Sequence, residues 1–264
     1  MALEHLAVYA VCFLASLLGP LCGIGGGVII KPVVDSLGLF PVAVVSFLSS
    51  ASVLAMALAT CLQNTIAGSW HVDIRSLVPI AAGSAVGGVL GKMGFASLAE
   101  SLPDPEIVGG VQAVVLVALG AIVLVYTLRK HDVVSLSVSS AIARFAIGAA
   151  AGACWSFLGI GGGPFNLALL AFFFSMDSKP AAQASLFIIA FSQTAGVGYG
   201  IVSGGAPAMP LALLIGSCAA AVGGSVAGGA LARRIESKEV DRLYLAALAV
   251  IIALSAWNAV RFLL

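Results

Sequence analysis

The sequence predicts an all-α polytopic membrane protein made of two homologous halves in an inverted repeat. Each half is expected to contain a glycine-broken helical hairpin and three transmembrane helices. Three observations carry this. Of 264 residues, 61% are hydrophobic and 9% charged, with a mean hydropathy of +1.15, whereas soluble domains carry about a quarter charged residues. The run Gly23-Ile24-Gly25-Gly26-Gly27 recurs as Gly159-Ile160-Gly161-Gly162-Gly163. The basic residues sort to one face only if the two segments carrying these runs fold back on themselves.

Taken in order, the N-terminus lacks the basic region of a cleavable signal and reads as the first membrane segment. A crossing helix needs about 20 apolar residues. That ruler gives spans at 41–63, 73–95, 107–128, 180–202, 207–232 and 241–262, with two composite segments at 3–38 and 138–176. A straight helix over 3–38 would measure about 54 Å against a hydrocarbon core of about 30 Å. It must therefore bend back or break, and the glycine run is the place for it.

The repeat extends beyond the glycines. Phe40-Pro41-Val42-Ala43 leads to Ser46, as Lys179-Pro180-Ala181-Ala182 leads to Ser185, and Ala85-Val86-Gly87-Gly88 matches Ala221-Val222-Gly223-Gly224. The halves are residues 1–130 and 131–264, joined by the polar stretch Arg129-Lys130-His131-Asp132. Duplication of this kind is common in secondary transporters.

If each composite segment crossed once, the basic residues would divide five against seven and give no orientation. If each is a hairpin, Arg75, Arg129, Lys130, Arg144, Lys179, Arg233, Arg234, Lys238 and Arg242 share one side, with Lys92 and Arg261 on the other and Lys31 inside the first hairpin. Nine against two is a positive-inside signal. It predicts a multi-pass protein of the cytoplasmic membrane, with basic loops cytoplasmic and both termini outside. Gly83, Gly87 and Gly91, and again Gly216, Ala220, Gly224 and Gly228, recur at four-residue spacing and read as helix-packing faces.

Several function classes are excluded or disfavoured. A net charge of +1 gives no nucleic-acid footprint. The five cysteines are scattered in apolar segments without a C-x-x-C pair, and three histidines near segment ends form no ligand cluster. The glycine runs follow no strand, so a dinucleotide fingerprint fails its context. Apart from Asp35, near the end of the first short helix, the acidic residues fall in loops or at segment ends. No cofactor, metal or enzymatic activity is expected.

Non-helical backbone at membrane depth survives only where protein packs it or it lines a cavity, so the runs mark the candidate site. Pro164 suits the first turn of a helix, and the repeat places a second start near Val28. Two helix N-termini then face each other with free N–H groups and partial positive charge, an anion site. Gly25, Gly26 and Gly27, with Gly161, Gly162 and Gly163, form its frame.

Lys31 lies one turn into the first short helix and either meets the anion, snorkels to an interface or pairs with Asp35. Asn166 takes the nearby position in the second hairpin. Ser46, Ser49 and Ser50, and Ser185 and Gln193 on the repeat mate, supply polar groups, although isolated hydroxyls often bond their own i−4 carbonyl. Gln193 must find a partner, and Trp155 either walls the site or packs.

The doubled Gly-x-Gly-Gly-Gly, the continuations Val28-Ile29-Ile30-Lys31-Pro32 and Pro164-Phe165-Asn166, and the legs leading to Ser185 together resemble the sulfite exporter TauE/SafE family of membrane permeases. The resemblance implies export of small sulfur-containing or organic anions such as sulfite, sulfonate or sulfoacetate. The first half lacks the lysine that precedes Pro180. The partners expected are a small anion and the lipid bilayer, with no nucleic acid and with a homodimer left open. The rival to a secondary carrier is a passive anion channel.

Overall fold

Each glycine run divides its long apolar segment into a crossing helix and a short returning one. A computed structural model describes residues 2–104, 106–129, 134–232, 234 and 237–263, and among these the chain forms ten helices and no strand. In the first half α1 (Ala2–Cys22) and α2 (Gly27–Leu37) are followed by α3 (Val42–Ile66), α4 (Ile74–Ser101) and α5 (Ile107–Leu128). In the second, α6 (Ala141–Leu158) and α7 (Gly163–Phe174) are followed by α8 (Ser178–Val202), α9 (Leu211–Ala232) and α10 (Ser237–Leu263). Eight of the ten are long and apolar enough to cross a membrane, and α2 and α7 are too short. The junction at Lys130, His131 and Asp132, with Arg233 and Glu236, lies outside the described residues.

Both composite segments are hairpins. His5 near the start of α1 lies 6.4 Å from Phe40 just beyond α2, ring centre to ring centre. At the second hairpin the N–H groups of Leu136 and Val138 donate to the carbonyls of Phe172 and Phe173 at 2.9 and 2.7 Å, so the strand of chain entering α6 lies against the end of α7. The helix starts expected at Val28 and Pro164 fall at Gly27 and Gly163.

Two expected boundaries are corrected, both by proline. The span placed at 73–95 runs on to Ser101, because Ala96 to Glu100 are good helix formers and nothing stops them until Pro103 holds Leu102 extended (φ −95°, ψ 146°). The span placed at 207–232 starts only at Leu211: Pro207 and Pro210 turn the residues before them away from the helical region, and the Pro210 carbonyl accepts the first helical N–H groups, those of Leu213 and Leu214.

The glycine ladders interlace the halves. A side chain on Gly83, Gly87 or Gly91 of α4 would strike the backbone of Phe145, Ala149 or Ala153 on α6, and one on Gly224 or Gly228 of α9 would strike the carbonyl of Phe13 or Leu17 on α1. Each half's ladder thus packs on the hairpin of the other half, backbone against backbone, as small residues allow in lipid where burial supplies no extra drive. One register over on α4, Ser84 donates to the Ile188 carbonyl at 3.2 Å and Gly88 abuts the Ser192 carbonyl of α8.

α10 anchors both short helices. Tyr244 Oη donates to the Pro164 carbonyl at 2.9 Å and Asn258 Nδ2 to the Pro32 carbonyl at 2.8 Å. Arg261 Nη1 donates to the carbonyls of Asp35 and Ser36, each at 2.8 Å, placing a cation at the C-terminus of α2 where the helix dipole favours it.

Candidate functional site

α1 and α6 both stop on a left-handed glycine, Gly23 (φ +63°) and Gly159 (φ +69°), and the chain then turns back. For the second run the Gly159 N–H donates to Ser156 and the Ile160 N–H to Trp155, closing the helix as left-handed glycine caps do. The two turns meet: a side chain on Gly163 would lie 3.0 Å from the Gly25 nitrogen, and one on Gly27 would lie 2.5 Å from the Ile160 carbonyl oxygen. Only glycine permits this approach.

The helices that begin here leave their first amides free, as every α-helix does. Among the described residues the N–H groups of Gly25, Gly26, Gly27, Gly161, Gly162 and Gly163 reach no acceptor. Side-chain donors gather beside them. Trp155, stacked on Phe165 at 5.1 Å, donates its Nε1–H to Asn166 Oδ1 at 2.7 Å. This fixes the amide so that Asn166 Nδ2, without an acceptor, sits 2.8 Å from where a Gly162 side chain would begin.

Gln193 is fully buried, with Nε2 3.5 Å from the corresponding point on Gly161. The partner expected for it is not found: neither its nitrogen nor its oxygen is hydrogen-bonded. Ser16 Oγ, likewise unpaired, stands 3.2 Å from the side-chain position of Gly26. The sequence reading missed Ser16, whose only signal is a polar residue in an apolar helix two turns before the run.

The serines divide. Ser46 and Ser185 occupy related places, each against the start of the other half's run. Ser46 Cβ lies 3.3 Å from the side-chain position of Gly159, and Ser185 Oγ donates to the Gly23 carbonyl at 3.2 Å. Ser46 Oγ is unpaired. Ser49 makes a long contact of 3.5 Å to the Gly27 carbonyl, and Ser50 Oγ accepts from Lys92 Nζ at 2.9 Å. None of these four bonds its own i−4 carbonyl, whereas Thr60 and Thr194 do.

Of the alternatives for Lys31, pairing is what is seen: its ammonium is 2.8 Å from Asp35 Oδ2 and both residues are buried. The lysine stem passes 3.3 Å from the Gly159 side-chain position. Asp35 is the sole acidic side chain among the buried polar residues described, and it is neutralised.

The junction itself is enclosed, every residue of both runs being buried. Two cavities approach it from different sides. One of about 240 Å³ is lined by Thr60, Gln63, Asn64, His71, Lys179 and Gln183, and it reaches inward to Ala182, which packs on Gly23. The other, of about 250 Å³, reaches inward to Ser46 and Lys92.

Among the described residues, eight helices long and apolar enough to cross a membrane, with two half-length ones that meet in a buried layer of free donors, define a multi-pass membrane permease. The chain belongs to the sulfite exporter TauE/SafE family, whose model matches residues 8–255 and so includes both glycine runs. No curated protein and no solved structure matches it.

Proposed function

We propose that this permease is a secondary carrier that exports a small sulfur-containing or organic anion, such as sulfite, a sulfonate or sulfoacetate, bound between the N-termini of α2 and α7. One observation carries the reading: the amides of both glycine runs and the unpaired donors of Ser16, Asn166 and Gln193 lie together at the glycine junction, and the one carboxylate among the buried side chains described is tied up by Lys31. Unpaired buried polar groups each cost about 1–3 kcal/mol. An oxyanion accepting from them would repay that cost.

Closed layers with a cavity on each approach suit alternating access better than a continuous pore. A membrane potential of about 100 mV, inside negative, favours the exit of each negative charge by about 2.3 kcal/mol, so export needs no coupling ion. In proteoliposomes, sulfite or methanesulfonate flux should saturate and show trans-stimulation. Flux that stays linear in concentration would indicate a channel, and no flux of any anion would end the proposal.

The same reading makes residues 1–130 and 131–264 inverted halves with basic loops cytoplasmic and both termini outside. It is supported by the two sets of loop contacts. Phe40 lies beside His5, and the Val42 N–H donates to Glu106, at one set of turns; the His71 N–H donates to Gln183, and Arg144 reaches the Ser76 carbonyl, at the other. In a cysteine-free background, Leu39→Cys and Lys179→Cys should label from opposite sides of the membrane. Labelling of both from one side would contradict the inversion.

A further inference from the structure

We propose that Lys92, at the inner end of the second cavity, is the charge-recognising residue of a separate anion station through which substrate passes on its way to or from the glycine layer. The station takes a singly charged oxyanion with a short apolar tail. This rests on the carrier reading and adds to it a residue, a place and a selectivity, narrowing the substrates to a monoanionic sulfonate over the doubly charged sulfoacetate.

Lys92 sits on α4 about two and a half turns before the helix ends at Ser101, in the Ser84, Gly88, Lys92 register that packs on α8. Helical side chains tilt toward the N-terminus of their own helix, so this one reaches inward instead of snorkelling to the nearer interface. Its Nζ ends 2.9 Å from Ser50 Oγ, a neutral acceptor that is fully buried. No carboxylate pairs with this half-buried lysine among the described residues, and the fully buried Lys31 already has Asp35. An ammonium held at this depth without a counter-ion is costly. A mobile anion is the group that would balance it.

The cavity tells what kind of anion. Beside Lys92 it carries Ser46, whose Oγ is unpaired, and its walls are mainly Phe47, Phe95, Ala96 and Ala99. Lys92 and the unpaired Ser46 hydroxyl suit one compact head group, and the apolar walls, to which Tyr199 and the exposed Ser203 add the other hydroxyls, suit a short tail. Glu100 lines the same cavity and is exposed, so a second negative charge on the ligand meets repulsion. Ser46 also touches Gly159 and the Lys31 stem lies beside it, so the station adjoins the glycine layer through one side chain.

The test uses full-length protein in proteoliposomes with methanesulfonate as the transported anion and sulfate as competitor. K92Q should raise the half-saturating methanesulfonate concentration at least tenfold with maximal flux within about threefold, K92R should recover most of the loss, and sulfate should compete poorly with the wild type. A second readout is independent of flux. Ala96→Cys in a cysteine-free background should react with a polar maleimide and be protected by methanesulfonate, and protection should vanish when K92Q is added. Unchanged half-saturation and protection in K92Q would overturn the station while leaving the carrier reading intact. Sulfate competing on a par with methanesulfonate would overturn the selectivity, and a wild type that neither transports nor is protected would overturn both proposals.

Discussion

Replacing Gly162 with alanine should reduce anion flux by more than 100-fold while the protein still inserts and elutes as one species in detergent. Gly162 holds φ +96° and ψ −36°, a conformation that L side chains rarely adopt. A Cβ there would lie 2.5 Å from Trp155 Cδ1 and 2.8 Å from Asn166 Nδ2. The strain is about 1–3 kcal/mol, which a bundle of ten helices can carry, but it must be relieved by moving the start of α7 or the Asn166 amide. Hydrogen bonds to a charged partner contribute about 1.5–3 kcal/mol each. Two of them displaced amount to at least about 3 kcal/mol, or two orders of magnitude in affinity. Gly198, where an added methyl group meets nothing within 4 Å, is the control. Wild-type flux in Gly162→Ala would remove the α7 N-terminus from the mechanism.

Gln193→Met should give an opposed pair of effects: a more heat-stable protein with at least tenfold less flux. The side chain is fully buried and both polar atoms lack partners. Methionine has nearly the same volume and leaves no polar group unpaired, so about 1–3 kcal/mol is recovered on substitution, a rise of a few degrees in Tm. The same change removes a donor beside Gly161. A group retained for packing would lose stability on replacement and leave transport alone, so a lower Tm with unchanged flux would place Gln193 in the scaffold.

The helices were legible because the membrane imposes a length on them, and the two hairpins were legible because the basic residues sort only when the glycine segments turn back. The frame of the site followed from glycines at a depth where irregular backbone is costly. Side-chain pairing was legible only within a helix. The four-residue spacing offered Asp35 to Lys31 as one of three alternatives, whereas that Lys92 goes to Ser50 depends on rotamers and on which helix lies opposite, and single-chain spacing carries little of that.

Lys92 was counted among the residues of the outer face because the 73–95 span seemed to end beside it. The continuation of α4 to Ser101 instead leaves it well inside. A signal was present, since Ser84, Gly88 and Lys92 repeat at four residues alongside the Gly83, Gly87, Gly91 ladder. Two adjacent stripes of that kind mean two neighbours, and the second neighbour is α8.

The interlacing of the halves bears on how the protein is made. α1 is synthesised well before the helix that clasps its Phe13 and Leu17 carbonyls, which begins only at residue 211. Until α9 is made that face lacks its protein neighbour, and the first hairpin acquires it only after α2 to α8 have been synthesised. Nascent chains halted before α9 therefore carry an unfinished N-terminal seam, a natural handle for the machinery that clears incomplete membrane proteins.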